Sequence, residues 1–349
     1  MSTSCRRIAP GRPSAVALAV AVALLAGGCS SGDDTADGDA QRSETTTSTT
    51  TTVPVPEAQT VEELLALDRP IVLAHAGGEN SHPHSTPYAY AESAKAGVDV
   101  LDFDVRLTGD GVLVVHHDDD VDRTTDGTGD VSSMTYEQLH ALDAAYWWTE
   151  DCSACRDRPE DEYVLRGIRT GDRPAPDGYG PDDFAVPRFE DIARKYPHHV
   201  LNIEIKGSYP DSVPVAKELA RVLRELDHLD AAVVTAFDDV LAEAFHREAP
   251  EVEITPGLQA MAGYALGGAA LPDDRRIIQV PPDYEGIQVL TPEFLANTKA
   301  DGKVLWIWPN DRSWEDAAGY RKLFDMGVGG INAADPEVAM EVLRERAGG

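Results

Sequence analysis

The stretch Leu201-Asn202-Ile203-Glu204-Ile205-Lys206 alternates apolar and polar side chains. Because alternate residues of a β-strand share a face, Asn202, Glu204 and Lys206 are predicted to point one way and the apolar side chains the other. A strand whose polar face is inward and whose apolar face is outward suits the mouth of a barrel wrapped in helices. An inward ion pair between Glu204 and Lys206, without further function, is the simpler alternative.

The surrounding sequence alternates short β-rich runs with helical ones, which predicts parallel strands joined by helical crossovers. We expect strands at 71–75, 98–105, 112–117, 200–206, 231–236, 253–258, 286–290, 303–308 and 329–332, and helices at 87–96, 136–143, 189–195, 214–226, 240–248, 292–298, 314–326 and 336–346. About eight such repeats over residues 61–349 predict a TIM (β/α)8 barrel. A doubly wound sheet is the alternative, but no Gly-x-Gly-x-x-Gly follows the first strand.

Residues 146–186 break this alternation, being rich in proline, glycine and charge, and are expected to form an insertion on an early βα loop. Cys152 and Cys155 lie within it. A pair of cysteines cannot supply a four-ligand zinc site, and no Trp-Cys-Gly-Pro context supports a redox motif. A small structural disulfide between Cys152 and Cys155 is therefore expected.

A second strand, Leu101-Asp102-Phe103-Asp104-Val105, places Asp102 and Asp104 on one face. Two buried carboxylates repel each other unless a cation lies between them, although a solvated strand end would explain the pair equally simply. Together with Glu204 they form an all-oxygen set, which suits Ca²⁺ or Mg²⁺ better than zinc or copper. Lys206 adds a positive charge suited to a phosphate oxygen.

Two histidines end predicted strands, His75 after Ile71-Val72-Leu73-Ala74 and His117 after Val112-Leu113-Val114-Val115-His116. A lone histidine at such a place is more often structural. A pair that titrates near neutral pH can supply the base and the acid of a phosphodiester cleavage.

The composition limits the partners. With 30 Lys and Arg against 61 Asp and Glu, the formal net charge is −31, which argues against nucleic acid as a partner. The 42% of hydrophobic residues can form a sizeable core, which excludes a wholly disordered chain. The oligomeric state does not follow from the sequence.

The N-terminal region is predicted to direct export. Three arginines precede a short apolar run that ends in Ala26-Gly27-Gly28-Cys29, a pattern typical of a signal peptide. The cysteine after small residues resembles the lipobox of bacterial lipoproteins, which implies cleavage after residue 28, lipidation of Cys29 and a lipid anchor on the extracytoplasmic face of the cell membrane. Plain secretion is the alternative. Residues 29–60, rich in Thr, Ser and Pro, are expected to form a disordered tether.

Three blocks of the chain resemble the glycerophosphodiester phosphodiesterase family. They are His75-Ala76-Gly77; the run from Asp102-Phe103-Asp104-Val105 to Asp110-Gly111-Val112; and His117-Asp118 followed by Arg123-Thr124-Thr125. The segment Asn202-Ile203-Glu204-Ile205-Lys206 matches the next block of the family, and Trp306-Ile307-Trp308-Pro309-Asn310 looks like a later one. The resemblance covers roughly residues 70–340.

This resemblance implies a TIM barrel that binds Ca²⁺ or Mg²⁺ through Asp102, Asp104 and Glu204. It implies catalysis by His75 and His117, a phosphate-side role for Lys206 and a substrate contact from Trp308. The implied reaction cleaves a small glycerophosphodiester to glycerol 3-phosphate and an alcohol, the 2-hydroxyl attacking phosphorus.

The chain departs from the family pattern at three places. Asp102 stands where the family has Glu, Ala76 replaces an Arg, and His84 replaces an acidic residue, for which a simple loop position is expected. These departures leave open a lipoprotein that binds a phosphorylated ligand without turnover. A hydrolase of glycerol-phosphate cell-wall polymer is a further alternative.

Overall fold

Eight parallel strands form a nearly closed barrel in the computed structural model, which describes residues 53–150 and 152–348. The strands are β1 Ile71–Ala74, β2 Val100–Leu107, β3 Leu113–Val115, β4 Val200–Ile205, β5 Ala232–Thr235, β6 Glu253–Ile254, β7 Ile277–Val280, β8 Asp283–Tyr284, β9 Ile287–Gln288, β10 Val304–Ile307 and β11 Gly330–Ala333. The helices are α1 Val61–Leu65, α2 Pro87–Ala96, α3 Tyr136–His140, α4 Phe189–Lys195, α5 Val213–Glu225, α6 Asp239–Glu248, α7 Leu258–Gly267, α8 Pro292–Ala300, α9 Ala317–Met326 and α10 Pro336–Gly348.

The order of the barrel strands is β6-β5-β4-β2-β1-β11-β10-β7, and every neighbouring pair in it is parallel. Among the described residues no ladder joins β6 to β7, so the barrel stays open there. The predicted TIM barrel is thus confirmed, with the α-helices as crossovers.

Two predicted strands do not belong to the barrel. The run 112–117 gives only β3, which pairs antiparallel with β2 as a hairpin. The run 286–290 gives β9, which pairs with β8 in a separate two-stranded hairpin. The barrel strand at this place is β7, whose sequence Ile-Ile-Gln-Val lies between Arg276 and Pro281 and was not predicted. Helix α7 was not predicted either.

The strands bury their apolar side chains outward, against the helices. On β2 and β4 the alternate residues Leu101, Phe103, Leu201 and Ile203 lie in the main core with the α4 and α5 side chains. The polar residues between them point into the barrel, as their period of two predicted.

The amino-terminal end of the barrel is closed by a second apolar cluster. Val61 and Leu64 of α1 pack there against strand residues that include Ile71, Val100 and Val200. Ala58, which falls in the predicted tether 29–60, is buried in this cluster. Packing of the barrel therefore begins before residue 61, and the site is left at the carboxyl end of the strands.

The predicted signal peptide 1–28, Cys29 and most of the tether lie outside the described residues. Within residues 53–150 and 152–348, no helix is long and apolar enough to cross a bilayer.

Candidate active site

A cavity of about 650 Å³ lies at the carboxyl ends of the barrel strands. Its lining includes every residue that the sequence predicted to act on the substrate: His75, Asp102, Asp104, His117, Glu204, Lys206 and Trp308. Side chains separated by up to 233 positions in the chain thus face one space, because parallel strands all end at the same rim.

Strands β2 and β4 place the acidic residues beside each other. In their parallel register Asp102 is the partner of Asn202, and Asp104 is the partner of Glu204. The Nζ atom of Lys206 lies 3.1 Å from Oδ1 of Asp104 and 3.0 Å from Oε1 of Glu204. The Glu204–Lys206 ion pair that the sequence left as an alternative is therefore present, and it includes Asp104.

The charge balance of this group is set by burial and by Lys206. Burial acts to raise the pKa of Asp104, but Lys206 and the nearby histidines hold that pKa well below its usual value. Burial raises the pKa of Glu204 against the opposing charge of Lys206. Burial also raises the pKa of Asp102, with the negative charge of Asp104 adding to the effect. The site therefore concentrates more negative charge than its one lysine compensates.

The carboxylates of Asp102, Asp104 and Glu204 are chemically suited to a hard divalent cation, because Ca²⁺ and Mg²⁺ prefer oxygen ligands. Their arrangement is nevertheless closed by protein contacts. Lys206 stands between Asp104 and Glu204, and Oδ1 of Asp102 accepts a 2.5 Å hydrogen bond from Nδ2 of Asn202. Among the described residues, no group of three His, Cys, Asp or Glu side chains lies close enough together to hold a metal ion.

His75 begins a short 3-10 turn directly after β1. Its neighbour Ala76 adopts a left-handed backbone with φ 47°, and the Ala76 N–H donates to Oδ2 of Asp102 at 3.3 Å. The turn brings Oε1 of Glu79 to 3.3 Å from Nδ1 of His75. Burial lowers the pKa of His75, but Glu79, Asp102, Asp104 and Glu315 together raise it above its usual value.

His117 is oriented by an ion pair between Asp118 and Arg123, which lies on the Nδ1 side of its ring. Its Nδ1 lies 2.6 Å from Oδ1 of Asp118, whose second oxygen accepts from Nε of Arg123 at 2.5 Å. Arg106 donates to the His117 carbonyl at 3.0 Å and so fixes the backbone. Burial opposes ionisation of Asp118, but His117 and Arg123 hold the pKa of its carboxyl well below the usual value. The imidazole therefore keeps a charged partner on Nδ1 and turns its Nε2 side free for chemistry.

His84 lies on a loop, as predicted, but its side chain is buried behind the site. Its ring packs edge-on against that of His117 with centroids 5.9 Å apart, and its Nε2 lies 3.8 Å from Oε2 of Glu79. Burial lowers the pKa of His84 to about 3, so the ring is neutral at physiological pH.

Several further polar residues line the cavity and were not singled out from the sequence as functional, among them Glu79, Ser153, Gln279 and Glu315. Glu79 follows His75 by four positions, a spacing that could have indicated a contact across one turn. Gln279 donates to Oδ1 of Asn202 at 2.7 Å and so supports the amide that holds Asp102. Burial raises the pKa of Glu315 to about 7.

The insertion 146–186 forms its own apolar cluster, which includes Trp148, Ile168 and Phe184. Cys152 and Cys155 form a disulfide in it, and Cys152 and Ser153 line the cavity. Burial acts to raise the pKa of Glu79, but His75, His84, Arg123 and the nearby Ser153 side chain together hold that pKa below its usual value. The insertion thus reaches the catalytic end of the barrel.

The comparisons with known proteins all point to the same family. Residues 75–337 match the family model described as the glycerophosphoryl diester phosphodiesterase family. A glycerophosphodiester phosphodiesterase of Caldanaerobacter subterraneus subsp. tengcongensis is 28% identical over 275 residues, covering 79% of this chain and 98% of that protein. One from Bacillus subtilis is 25% identical over 289 residues, covering 80% of this chain and 89% of its own length.

Solved structures share the fold. The glycerophosphoryl diester phosphodiesterase domain of a Mycobacterium tuberculosis protein superposes with a TM-score of 0.61 at 18% identity, over 78% of this chain and 99% of that one. An Oleispira antarctica phosphodiesterase in complex with sn-glycerol-3-phosphate gives a TM-score of 0.59 at 19% identity, over 79% and 97%.

Proposed function

The chain belongs to the glycerophosphoryl diester phosphodiesterase family of phosphoric diester hydrolases, and we propose that it hydrolyses glycerophosphodiesters to glycerol 3-phosphate and an alcohol. The observation that carries this proposal is that six predicted side chains converge in one cavity at the carboxyl ends of the barrel strands: His75, His117, Lys206, Asp102, Asp104 and Glu204. A protein that only bound a phosphorylated ligand would not need two histidines that each have a dedicated carboxylate partner.

In the proposed reaction His75 and His117 act as the general base and the general acid. One removes the proton of the attacking hydroxyl, and the other protonates the departing alcohol oxygen. Glu79 holds His75 and favours its charged form, whereas Asp118 and Arg123 hold His117 through Nδ1. Lys206 supplies a positive charge for the phosphoryl oxygens, where negative charge grows in the transition state.

We propose that Asp102, Asp104 and Glu204 bind a divalent cation, Ca²⁺ or Mg²⁺. A bound cation would supply further positive charge for the phosphodiester. The excess of buried negative charge in this group supports the assignment. Burial raises the pKa of both Asp102 and Glu204, which means that their ionised forms are destabilised unless a cation compensates the charge. The Lys206 ammonium now holds two of the three carboxylates, so we expect it to turn toward the substrate when the cation and substrate bind.

The test is release of choline from glycerophosphocholine by the full chain, with and without EDTA, beside a His117→Ala variant. We expect activity to fall by at least about a hundredfold in the variant and to be lost in EDTA and restored by added Ca²⁺ or Mg²⁺. A His198→Ala variant, which removes an exposed histidine away from the cavity, is the matched control.

Undiminished activity of His117→Ala contradicts the two-histidine mechanism, and undiminished activity in EDTA contradicts the bound cation. Absence of turnover by the unaltered chain, with tight binding of the diester, would favour the binding protein. Glycerol-phosphate polymer as a parallel substrate tests the third alternative.

We also propose that the protein is exported and anchored by lipid at Cys29, on the strength of the basic, apolar and small-residue pattern that precedes this cysteine. In a bacterial host, Cys29→Ser should move the protein from the membrane fraction to the medium and abolish incorporation of labelled fatty acid. Unchanged fractionation and labelling would contradict the anchor.

A further inference from the structure

The catalytic cavity has a second, apolar wall that the proposed reaction does not use. Opposite the charged residues, α7, the β8–β9 hairpin and the loops after β5 and β7 supply apolar side chains, among them Phe237, Leu258, Met261, Leu266, Ile287 and Val289. At about 650 Å³ the cavity has the size of pockets that enclose drug-sized ligands. A deacylated glycerophosphodiester is polar throughout and has no group to place on this wall.

The composition of α7 sets it apart from the other helices. Its sequence Leu-Gln-Ala-Met-Ala-Gly-Tyr-Ala-Leu-Gly carries no charge, and no Asp, Glu, Lys or Arg occurs between residues 254 and 272. Every other α-helix in residues 53–150 and 152–348 has at least one charged side chain. Within residues 53–150 and 152–348, α7 is therefore the helix best suited to contact an apolar ligand.

The apolar wall continues out of the cavity to its rim. Leu266 is 62% exposed, Ile287 46% and Phe237 42%, and all three also line the cavity. Single exposed apolar side chains are ordinary, but a group of them around one opening marks a binding surface. The rim therefore extends the apolar wall from beside the catalytic groups to solvent.

We propose, on the basis of the proposed function, that the enzyme accepts a glycerophosphodiester that keeps one long acyl chain, a lysophospholipid, whose chain lies along α7 and passes out over Leu266 and Ile287. A lipid chain fits because it needs a continuous uncharged wall that begins next to the phosphate site. A protein partner seated on the same rim would close the cavity that holds His75 and His117.

The chemistry is that of the smaller substrate. A 1-acyl lysophospholipid retains the free 2-hydroxyl of its glycerol. The 2-hydroxyl oxygen loses its proton and bonds to phosphorus while the bond between phosphorus and the head-group oxygen breaks, and that oxygen takes up a proton and leaves as the free alcohol. Water then adds to phosphorus and breaks the bond to the 2-oxygen, which regains a proton as the cyclic phosphate opens to a monoester. The products are a lysophosphatidic acid and the head-group alcohol, with no oxidant or reductant involved.

The experiment compares choline release by the full chain from glycerophosphocholine and from 1-acyl lysophosphatidylcholines of increasing chain length, each as monomers in solution. We expect kcat/KM to rise with chain length, by at most about fourfold for each methylene that the wall buries, and to level off once the chain passes the rim.

Two variants locate the effect. Leu266→Ser and Ile287→Ser should each flatten the dependence on chain length, lowering the ratio of kcat/KM for the longest chain to that for glycerophosphocholine severalfold. Val55→Ser is the matched control, because Val55 is 60% exposed but does not line the cavity, and the ratio should stay unchanged. Thermal melts of all three verify folding.

The outcomes separate the two proposals. Turnover of glycerophosphocholine with no gain from an acyl chain, or an unaltered chain-length dependence in both rim variants, overturns the lysophospholipid proposal and leaves the proposed function standing. Failure to hydrolyse any of these diesters overturns both.

Discussion

Oε1 of Glu79 lies 3.3 Å from Nδ1 of His75, across the single turn that follows the first barrel strand. Both side chains line the cavity, and the side chain of Ser153 in the insertion lies near the same carboxylate and helps to lower its pKa. In the proposed mechanism Glu79 is a positioning residue, which orients His75 and stabilises its protonated form.

Replacing Glu79 by Gln removes this negative charge, so the pKa of His75 should fall. We expect kcat/KM to decrease about tenfold or more, and the inflection that reports His75 in the pH–rate profile to move to lower pH. Glu337→Gln is the matched control, because Glu337 pairs with His82 at 2.7 Å and neither residue lines the cavity. A Glu79→Gln enzyme with the pH profile of the unaltered one would refute the positioning role.

Gly77, two residues after His75, has φ +83°, and a Cβ built on it would lie 2.8 Å from Cβ of Ala89. Gly77→Ala should lose about 1–2 kcal/mol through the left-handed backbone and a further amount of about 1–3 kcal/mol through the clash with α2. Because α2 cannot move freely, the turn should shift and carry His75 with it, so activity should fall as well.

Gly111→Ala separates these two costs. Gly111 has φ +82° but no heavy atom within 4 Å of its built Cβ. Chemical denaturation should show the backbone cost alone in this variant, with activity retained. If Gly77→Ala and Gly111→Ala lost the same free energy of unfolding, the clash between the new Cβ at position 77 and Ala89 would contribute nothing to the loss.

Glu315 gives stability a defined pH dependence. Its carboxyl is buried, accepts from the Ala334 N–H at 3.1 Å and from the Tyr320 hydroxyl, and has a pKa raised to about 7. A carboxyl with a higher pKa in the folded than in the unfolded state destabilises the fold as pH rises from the unfolded value, 4.5, to the folded one.

Glu315→Gln should remove this dependence. Relative to the unaltered protein, the variant should gain about 2–3 kcal/mol in free energy of unfolding between pH 4 and pH 8. Urea denaturation at the two pH values measures the difference. A constant offset between the two proteins at both values would show that the pKa of Glu315 is the same in the folded and unfolded states.

The disulfide is expected to matter more for activity than for stability. Cys152 and Cys155 are three positions apart, so closing this loop restricts the unfolded chain by only about 2 kcal/mol. Yet Cys152 and Ser153 line the cavity, and Ser153 contacts Glu79. The double variant Cys152→Ala, Cys155→Ala should therefore lower kcat/KM severalfold with a small change in melting temperature. Ser153→Ala should reproduce the loss of activity without the loss of stability; full activity in both variants would show that the loop does not support His75.

The inward face of the site followed directly from the sequence because a strand alternates its side chains with a period of two. The pattern Asp102-x-Asp104 and Asn202-x-Glu204-x-Lys206 required only that both strands belong to a barrel. Where the ammonium of Lys206 would lie was not predictable, since a four-carbon side chain reaches in several directions and its position depends on Asp104 in the neighbouring strand.

The wrong predictions about the fold have a common cause, which is that the segments concerned show no distinctive periodicity of apolar and polar residues. The run 286–290 contains β-branched residues, as β7 does, and short apolar runs carry no information on whether they pair within a barrel or in a hairpin. Helix α7 was missed because its glycines and alanines show no polar face, whereas amphipathic helices such as α5 and α6 do. The contact between Glu79 and His75 depends on a 3-10 turn, which leaves no periodic trace.

The open place between β6 and β7 gives the barrel an adjustable circumference. Seven of the eight possible neighbour pairs are fixed by hydrogen-bonded ladders, and among the described residues the eighth is spanned by α7 and its connections rather than by backbone pairing. Widening the barrel at this seam breaks no ladder, so it costs far less than widening it elsewhere. The catalytic groups on β1, β2 and β4 lie on the paired side and keep their spacing while the opposite side yields. If both proposals hold, the paired half keeps the phosphate chemistry constant while the half at the seam adjusts to alcohols and acyl chains of different size.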